Sequence, residues 1–300
     1  MPVPVRRFFS MVKVSALEAL SEPLALLLTL SAMTMAALVP AMHYHQFGES
    51  TRMARDAGFS ALFMFGAAYA IFLPIKGMRR EIESGTASIA LAHGVSRKMF
   101  FLAKATGVYV AFLIFACTLT ALSLTAINGA GIGGKIALRT GEIAKMWGPS
   151  LSWAMTAIVA SPIIGALANR FLGWRFVPAS TIFALIISIV SAAYRFDASM
   201  ALRLMPGFLV LAVPPAVFVF LSSAFAARLR ANAAVSASVF AFALSLPIMG
   251  NYYLSDAFAD GRTIACKYAV LAILAAIPLA VAAAMAGIAF LEGRDISGGR

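Results

Sequence analysis

Charge-free apolar stretches recur eight times along the chain, at 23–42, 57–75, 105–127, 146–169, 176–194, 204–227, 231–255 and 268–291. Each is 19 residues or longer, and about 20 residues of helix cross the hydrocarbon core of a bilayer. One such run can be a buried helix of a soluble protein. Eight in series cannot all be cores of a 300-residue soluble chain. In lipid a single segment satisfies its own backbone only as a helix. The pattern therefore predicts an all-α integral membrane protein, a polytopic helical bundle with eight candidate spans and six to eight crossings, in one domain over 1–300. Pro214 and Pro215 interrupt the run 204–227 and free backbone groups there, so that run is expected to be kinked or re-entrant.

The segments between the runs are short and polar. In 1–22, Val5, Phe8, Phe9, Val12, Ala16 and Leu20 recur at helical spacing, with Arg6, Arg7, Ser10 and Lys13 on other faces. This predicts a helix lying in the membrane interface. Arg6-Arg7 is no twin-arginine signal, because Glu18 and Glu22 interrupt the place where an apolar core should follow. The first span, from Pro23 to about Met42, leads to a loop with His43, His45 and Glu49. The third span, Lys104 to about Asn128, leads to a Gly-rich polar loop with Lys135, Arg139, Glu142 and Lys145. Trp147 and Trp153 are expected as interface anchors of the fourth span.

Composition agrees with the pattern. Hydrophobic residues make up 62% and charged residues 12%, against about 45–50% and about 25% in soluble domains. The net charge of +12 raises the question of nucleic acid, and its distribution answers it. With a cytoplasmic N-terminus and alternating spans, the inside segments hold 15 of the 24 basic residues. That is the bias of the positive-inside rule, and it points to membrane lipids as the partner of the charge, with no nucleic acid. Cys117 and Cys266 suggest no disulfide framework.

Catalytic, cofactor and metal signatures are missing. The stretch 129–136, GAGIGGKI, nearly spells a phosphate-cradling loop, but Ile136 lacks the required hydroxyl and a membrane span precedes it. It is read as a flexible loop. His43-x-His45 with Glu49 has no second cluster to complete a metal site, and His93 before Gly94 reads as a helix end. Small residues at i,i+4, Ser161/Gly165 and Ala283/Gly287, mark close helix packing.

The segment 79–98 stands apart as a charged insert between two apolar runs. Glu81 and Glu83 come first, then Gly85-Thr86, a short apolar helix with Ile89 and Leu91, a break at Gly94, Ser96-Arg97, and finally Lys104. Thr86 is placed to cap the start of a helix, Ala87 to Ala92 are good helix formers, and Gly94 ends it. Ser96 can start the next helix, with Arg97 and Lys98 at the membrane edge. Such a stiff, capped helix with flanking charges suits a lever that must dock in one register.

This order resembles the cytoplasmic coupling segment of type-two (exporter-type) ABC transporter permeases. There the consensus runs roughly E-x-G-T, an apolar pair, a Pro-containing turn, S-R and a closing Gly-Lys. The likeness covers about 26 residues. Gly94 stands where the family usually has Pro, and Ala103 where it usually has Gly. The resemblance implies a non-enzymatic permease subunit in the cell membrane, with both termini cytoplasmic. It implies a cytosolic ABC ATP-binding subunit and a second permease chain as partners. Glu81, Glu83, Gly85, Thr86, Leu91, Gly94, Arg97 and Lys104 would then be the ATPase-coupling residues. Glu81 and Glu83 would set the docking register, and Arg97 and Lys104 would anchor the segment at the bilayer surface. The rival reading is an ion-coupled secondary transporter or channel. It is disfavoured because the apolar runs carry no Asp, Glu, Lys, Arg or His to relay protons, although a sodium site of carbonyls and hydroxyls stays open.

Overall fold

The computed structural model describes residues 3–39, 50–92, 94–140, 149–194, 197–253 and 266–293. Among them every regular element is a helix: α1 (Val3–Ser21), α2 (Pro23–Leu38), α3 (Ser50–Glu83), α4 (Thr86–Ala92), α5 (Arg97–Thr140), α6 (Pro149–Leu172), α7 (Phe176–Tyr194), α8 (Ala198–Ala212), α9 (Pro214–Arg228), α10 (Ala231–Tyr253) and α11 (Cys266–Glu292). The all-α bundle expected from hydropathy is therefore what the chain forms.

Six helices among the described residues are long and apolar enough to cross a membrane, or seven if the bent pair α1–α2 counts as one span. The eight runs merge and shorten for identifiable reasons. Pro23 starts α2 at a tolerated first-turn position, and α2 departs from α1 at 65°. The run 204–227 is broken where α8 ends at Val213 and α9 restarts at Pro214. Proline cannot donate the next helical bond, so the expected interruption falls at that pair. Asp197 starts α8 by accepting from the backbone N–H groups of Ser199 and Met200. A further bond from the Ser199 hydroxyl holds its carboxyl below the usual range.

The expected loop after Asn128 is instead helix, since α5 continues to Thr140. The histidines and the acid of the 40–49 segment, together with His93 and Trp147, lie outside the described residues.

Helices α3 and α5 form the centre. Their most apolar windows are 67% and 72% buried, against 17% for α11. Tyr69 of α3 stacks on Phe115 of α5 with centroids 5.2 Å apart, and α9 adds Phe218 and Val219 to the same cluster. A second cluster joins Ile75 and Met78 of α3, Phe100 and Phe101 of α5, Ala224 and Ala227 of α9 and Leu291 of α11.

Small residues let backbones meet. A Cβ on Gly107 would lie 2.4 Å from the Ser15 Cβ, and one on Gly165 would lie 2.1 Å from the Ser180 Oγ. The small pairs Ser161/Gly165 and Ala283/Gly287 thus mark tight α6–α7 and α5–α11 approaches, as their spacing predicts. Buried hydroxyls such as Thr29, Ser223 and Ser238 return a hydrogen bond to the carbonyl four residues back. That satisfies a polar group inside an apolar helix.

Candidate functional site

The charged residues of the 79–98 segment belong to one assembly at one end of the bundle. The end of α3, the whole of α4, the start of α5, the elbow between α1 and α2, and the C-terminal ends of α9 and α11 converge there. Side-chain bonds make the convergence explicit. Glu22, at the α1–α2 corner, is buried and pairs with Lys76 at 2.5 Å and Arg80 at 3.1 Å, both from α3. It starts α2 without a side-chain cap of its own, because its carboxylate is spent on α3.

Lys104 is the centre of the second knot. It is 5% exposed and pairs with both Glu18 of α1 and Glu81 of α3. The sequence places Lys104 as an anchor at the bilayer surface; within the fold its ammonium is enclosed between these two carboxylates. Its position after the loop placed it at the membrane edge in sequence, yet two carboxylates from other helices draw the ammonium inward. An uncompensated buried charge costs several kcal/mol, so the three groups hold one another in place. Glu81 is consequently turned inward, with its Oε2 buried and lacking a donor. Glu83 is the acid left at the surface, 59% exposed, where it pairs with Arg79 four residues earlier.

Arginines close the open ends of the outer helices. The last four carbonyls of any helix lack intrahelical donors and carry partial negative charge. Arg79 donates to the Leu229 carbonyl at 3.2 Å, just past α9. Arg97 donates to the carbonyls of Leu291 at 3.2 Å and Glu292 at 2.8 Å, at the end of α11. Arg228 reaches the Gly293 carbonyl at 3.4 Å, and Lys98 lies 3.8 Å from the Glu292 carboxylate. Arg97 therefore meets the end of a helix.

Between these knots sits α4. Its chain reverses direction twice, at Gly85 with φ +75° and at Gly94 with φ +77°. Only glycine occupies that region at little cost. The Gly94 N–H bonds to the Leu91 carbonyl at 3.1 Å, ending the helix as its sequence predicts. Ser96 accepts from the Met99 N–H at 3.2 Å and so caps α5, also as expected. Thr86 differs. Its hydroxyl donates back to the Glu81 carbonyl at 3.3 Å and meets the Ser84 hydroxyl at 2.9 Å. It finishes α3 instead of capping α4, because the Gly85 turn swings it over the previous helix. Ala87 is fully buried, and Ala90 and Leu91 pack on the cluster of α3, α5, α9 and α11. Ile89 points outward, 59% exposed.

Glu18, Glu22, Arg228 and Glu292 complete the site without having been singled out for it. Glu18 and Glu22 carried a signal, two acids one turn apart in an otherwise basic segment. Their partners were invisible because Lys104 lies 86 residues from Glu18.

As a device, the arrangement couples one seven-residue helix to the ends of six others. Comparison of the chain with protein-family models, with curated proteins and with solved structures finds no match.

Proposed function

We propose that this chain is the membrane-spanning permease subunit of an ATP-driven ABC transporter of the exporter type. A separate cytosolic ATP-binding subunit supplies the energy, and a second permease chain, identical or paralogous, completes the pathway. The observation that carries this reading is α4 itself. It is a seven-residue helix between two left-handed glycines, joining α3 and α5, the two most buried long helices. A push on its exposed face, where Ile89 stands, beside Glu83 at the end of α3, acts first on the centre of the bundle. Ion pairs and arginine caps then carry the displacement to α1, α9 and α11. Rigid-body rocking of helices about such contacts is a known class of switching motion. In this reading α4 and the basic helix ends face the cytosol, and the chain sits in the cell membrane with both termini inside.

The test is reconstitution in liposomes, with a candidate cytosolic ATP-binding subunit added or withheld. The chain alone should hydrolyse no ATP, and the pair should form a complex whose hydrolysis changes when the permease is present. ATP hydrolysis by a preparation free of any partner would overturn the reading. Transport driven by a proton or sodium gradient without ATP would replace it with an ion-coupled transporter.

A further inference from the structure

A cleft of about 240 Å³ lies between α1, the end of α3, α4 and the start of α5. Met11 and Val14 of α1, Ala90 of α4 and Phe100 of α5 give it apolar walls, and Glu81 and Lys104 line it as well. Its charges do not balance. Glu18 and Glu81 share the single ammonium of Lys104, and these are the charges that act on Glu81. Lys104 occupies one Glu81 oxygen, while the other is buried and meets no donor. A buried acceptor without a donor is costly, more so when charged. Two carboxylates around one ammonium also leave an excess negative charge beside an apolar wall.

We propose that this cleft binds an amphiphilic ammonium ion. A protonated amine donates to the Glu81 carboxylate and supplies the missing positive charge. Its apolar body lies along Met11, Val14, Ala90 and Phe100. A neutral amphiphile gains the walls but not the charge, and an anionic one is repelled. Because the walls come from both α1 and α4, the occupant bridges the elbow helix and the short surface helix. The site rests on its own geometry and stands apart from the transport reading.

The test uses the full chain in lipid nanodiscs, with Cys117 and Cys266 changed to Ala and a single reporter, Ala90→Cys, inside the cleft. The probe is n-hexylammonium, and n-hexanol is its neutral counterpart. Hexylammonium should slow maleimide labelling at position 90 saturably, and hexanol should not. A reporter at Ser84→Cys, on the exposed turn, should respond to neither. Glu81→Gln should weaken the protection about tenfold or more, the loss expected when a charged hydrogen bond becomes neutral. That variant also disturbs Lys104, so Val14→Phe, which fills the cleft and leaves every charge in place, should independently abolish protection. Discs of phosphatidylethanolamine that protect position 90 without added amine would assign the amine to the lipid. Protection only on adding hexylammonium would assign it to a soluble amine. Equal protection by hexanol, or protection that survives Val14→Phe in a folded chain, would overturn the proposal.

Discussion

Lys104 shows how one side chain can set the stability of a whole helix junction. Replacing it with Met keeps the length and the apolar stem but leaves Glu18 and Glu81 facing each other without a counter-charge. Breaking a buried pair typically costs about 3–5 kcal/mol. The two acids keep 29% and 20% side-chain exposure, so the lower end, about 3 kcal/mol, is expected. We predict a clear loss of thermal stability in detergent, partly recovered when Glu81→Gln is added to Lys104→Met. An unchanged melting point for Lys104→Met would mean that the knot contributes nothing. Two glycines offer a sharper contrast. A Cβ on Gly287 would lie 2.1 Å from the Phe101 ring, whereas one on Gly77 meets nothing within 4 Å. Gly287→Ala should therefore cost about 1–3 kcal/mol by forcing α11 from α5. Gly77→Ala should stabilise α3 by about 0.5–1 kcal/mol through helix propensity alone. Chemical unfolding of the two variants side by side checks the signs.

At the scale of elements, legibility followed the range of the interaction. The end of α4 and the start of α5 could be read because glycine at positive φ and a serine cap act within three residues. Thr86 was misassigned because its bond runs backwards, to a helix already finished. The continuation of α5 through 129–140 was not readable from composition. Gly129, Gly131, Gly133 and Gly134 each cost about 1 kcal/mol against Ala in a helix, which argued for a break. Extending an existing helix is nevertheless far cheaper than nucleating one, and α5 enters this stretch already long. The burial of Lys104 depends on partners 23 and 86 residues away, which no local pattern reveals. The geometry at Gly94 also excludes proline from that position. Proline is locked near φ −65° and cannot take the +77° found there. Gly94→Pro should disorder the α4–α5 turn and raise proteolysis at this segment. Gly94→Ala should cost only about 1–2 kcal/mol. Glu83→Lys tests the proposed docking face. It replaces the Arg79–Glu83 pair with like charges on an exposed helix end. A surface pair contributes only about 0–1 kcal/mol to folding, so membrane levels should stay normal. If Glu83 also meets a basic group of the ATP-binding subunit, losing that pair costs about 2–5 kcal/mol of docking, or roughly thirtyfold to several thousandfold in affinity. Unchanged recovery of the ATPase with this variant would reduce Glu83 to a solvated charge.

For the whole molecule, the proposed sidedness rests on charge and is open to direct measurement. Glu22, Lys76, Arg79, Arg97, Arg228 and the end of α11 are tied together at one end by the bonds described above. The opposite end of α3 carries Arg52, Arg55 and Asp56, whose charges partly cancel through the Arg52–Asp56 and Arg55–Asp56 pairs. If the eight apolar runs alternate across the membrane, 15 of the 24 basic residues fall on the side of the first end, and on the positive-inside rule we propose that this end faces the cytosol. The 34 residues of α3 span about 51 Å at 1.5 Å per residue, longer than the hydrocarbon core of about 30 Å. Its two termini must therefore emerge in water on opposite sides. In a chain with Cys117 and Cys266 replaced by Ala, Thr51→Cys should react rapidly with an impermeant maleimide added to intact cells. Ser84→Cys, exposed on the turn before α4, should react only after the membrane is opened, which separates sidedness from burial. Equal labelling of both positions in intact cells would show that α3 does not cross the membrane. The reverse pattern, Ser84→Cys labelled and Thr51→Cys silent until permeabilisation, would invert the bundle. It would put α4 on the wrong side for a cytosolic ATPase and remove the permease reading with it.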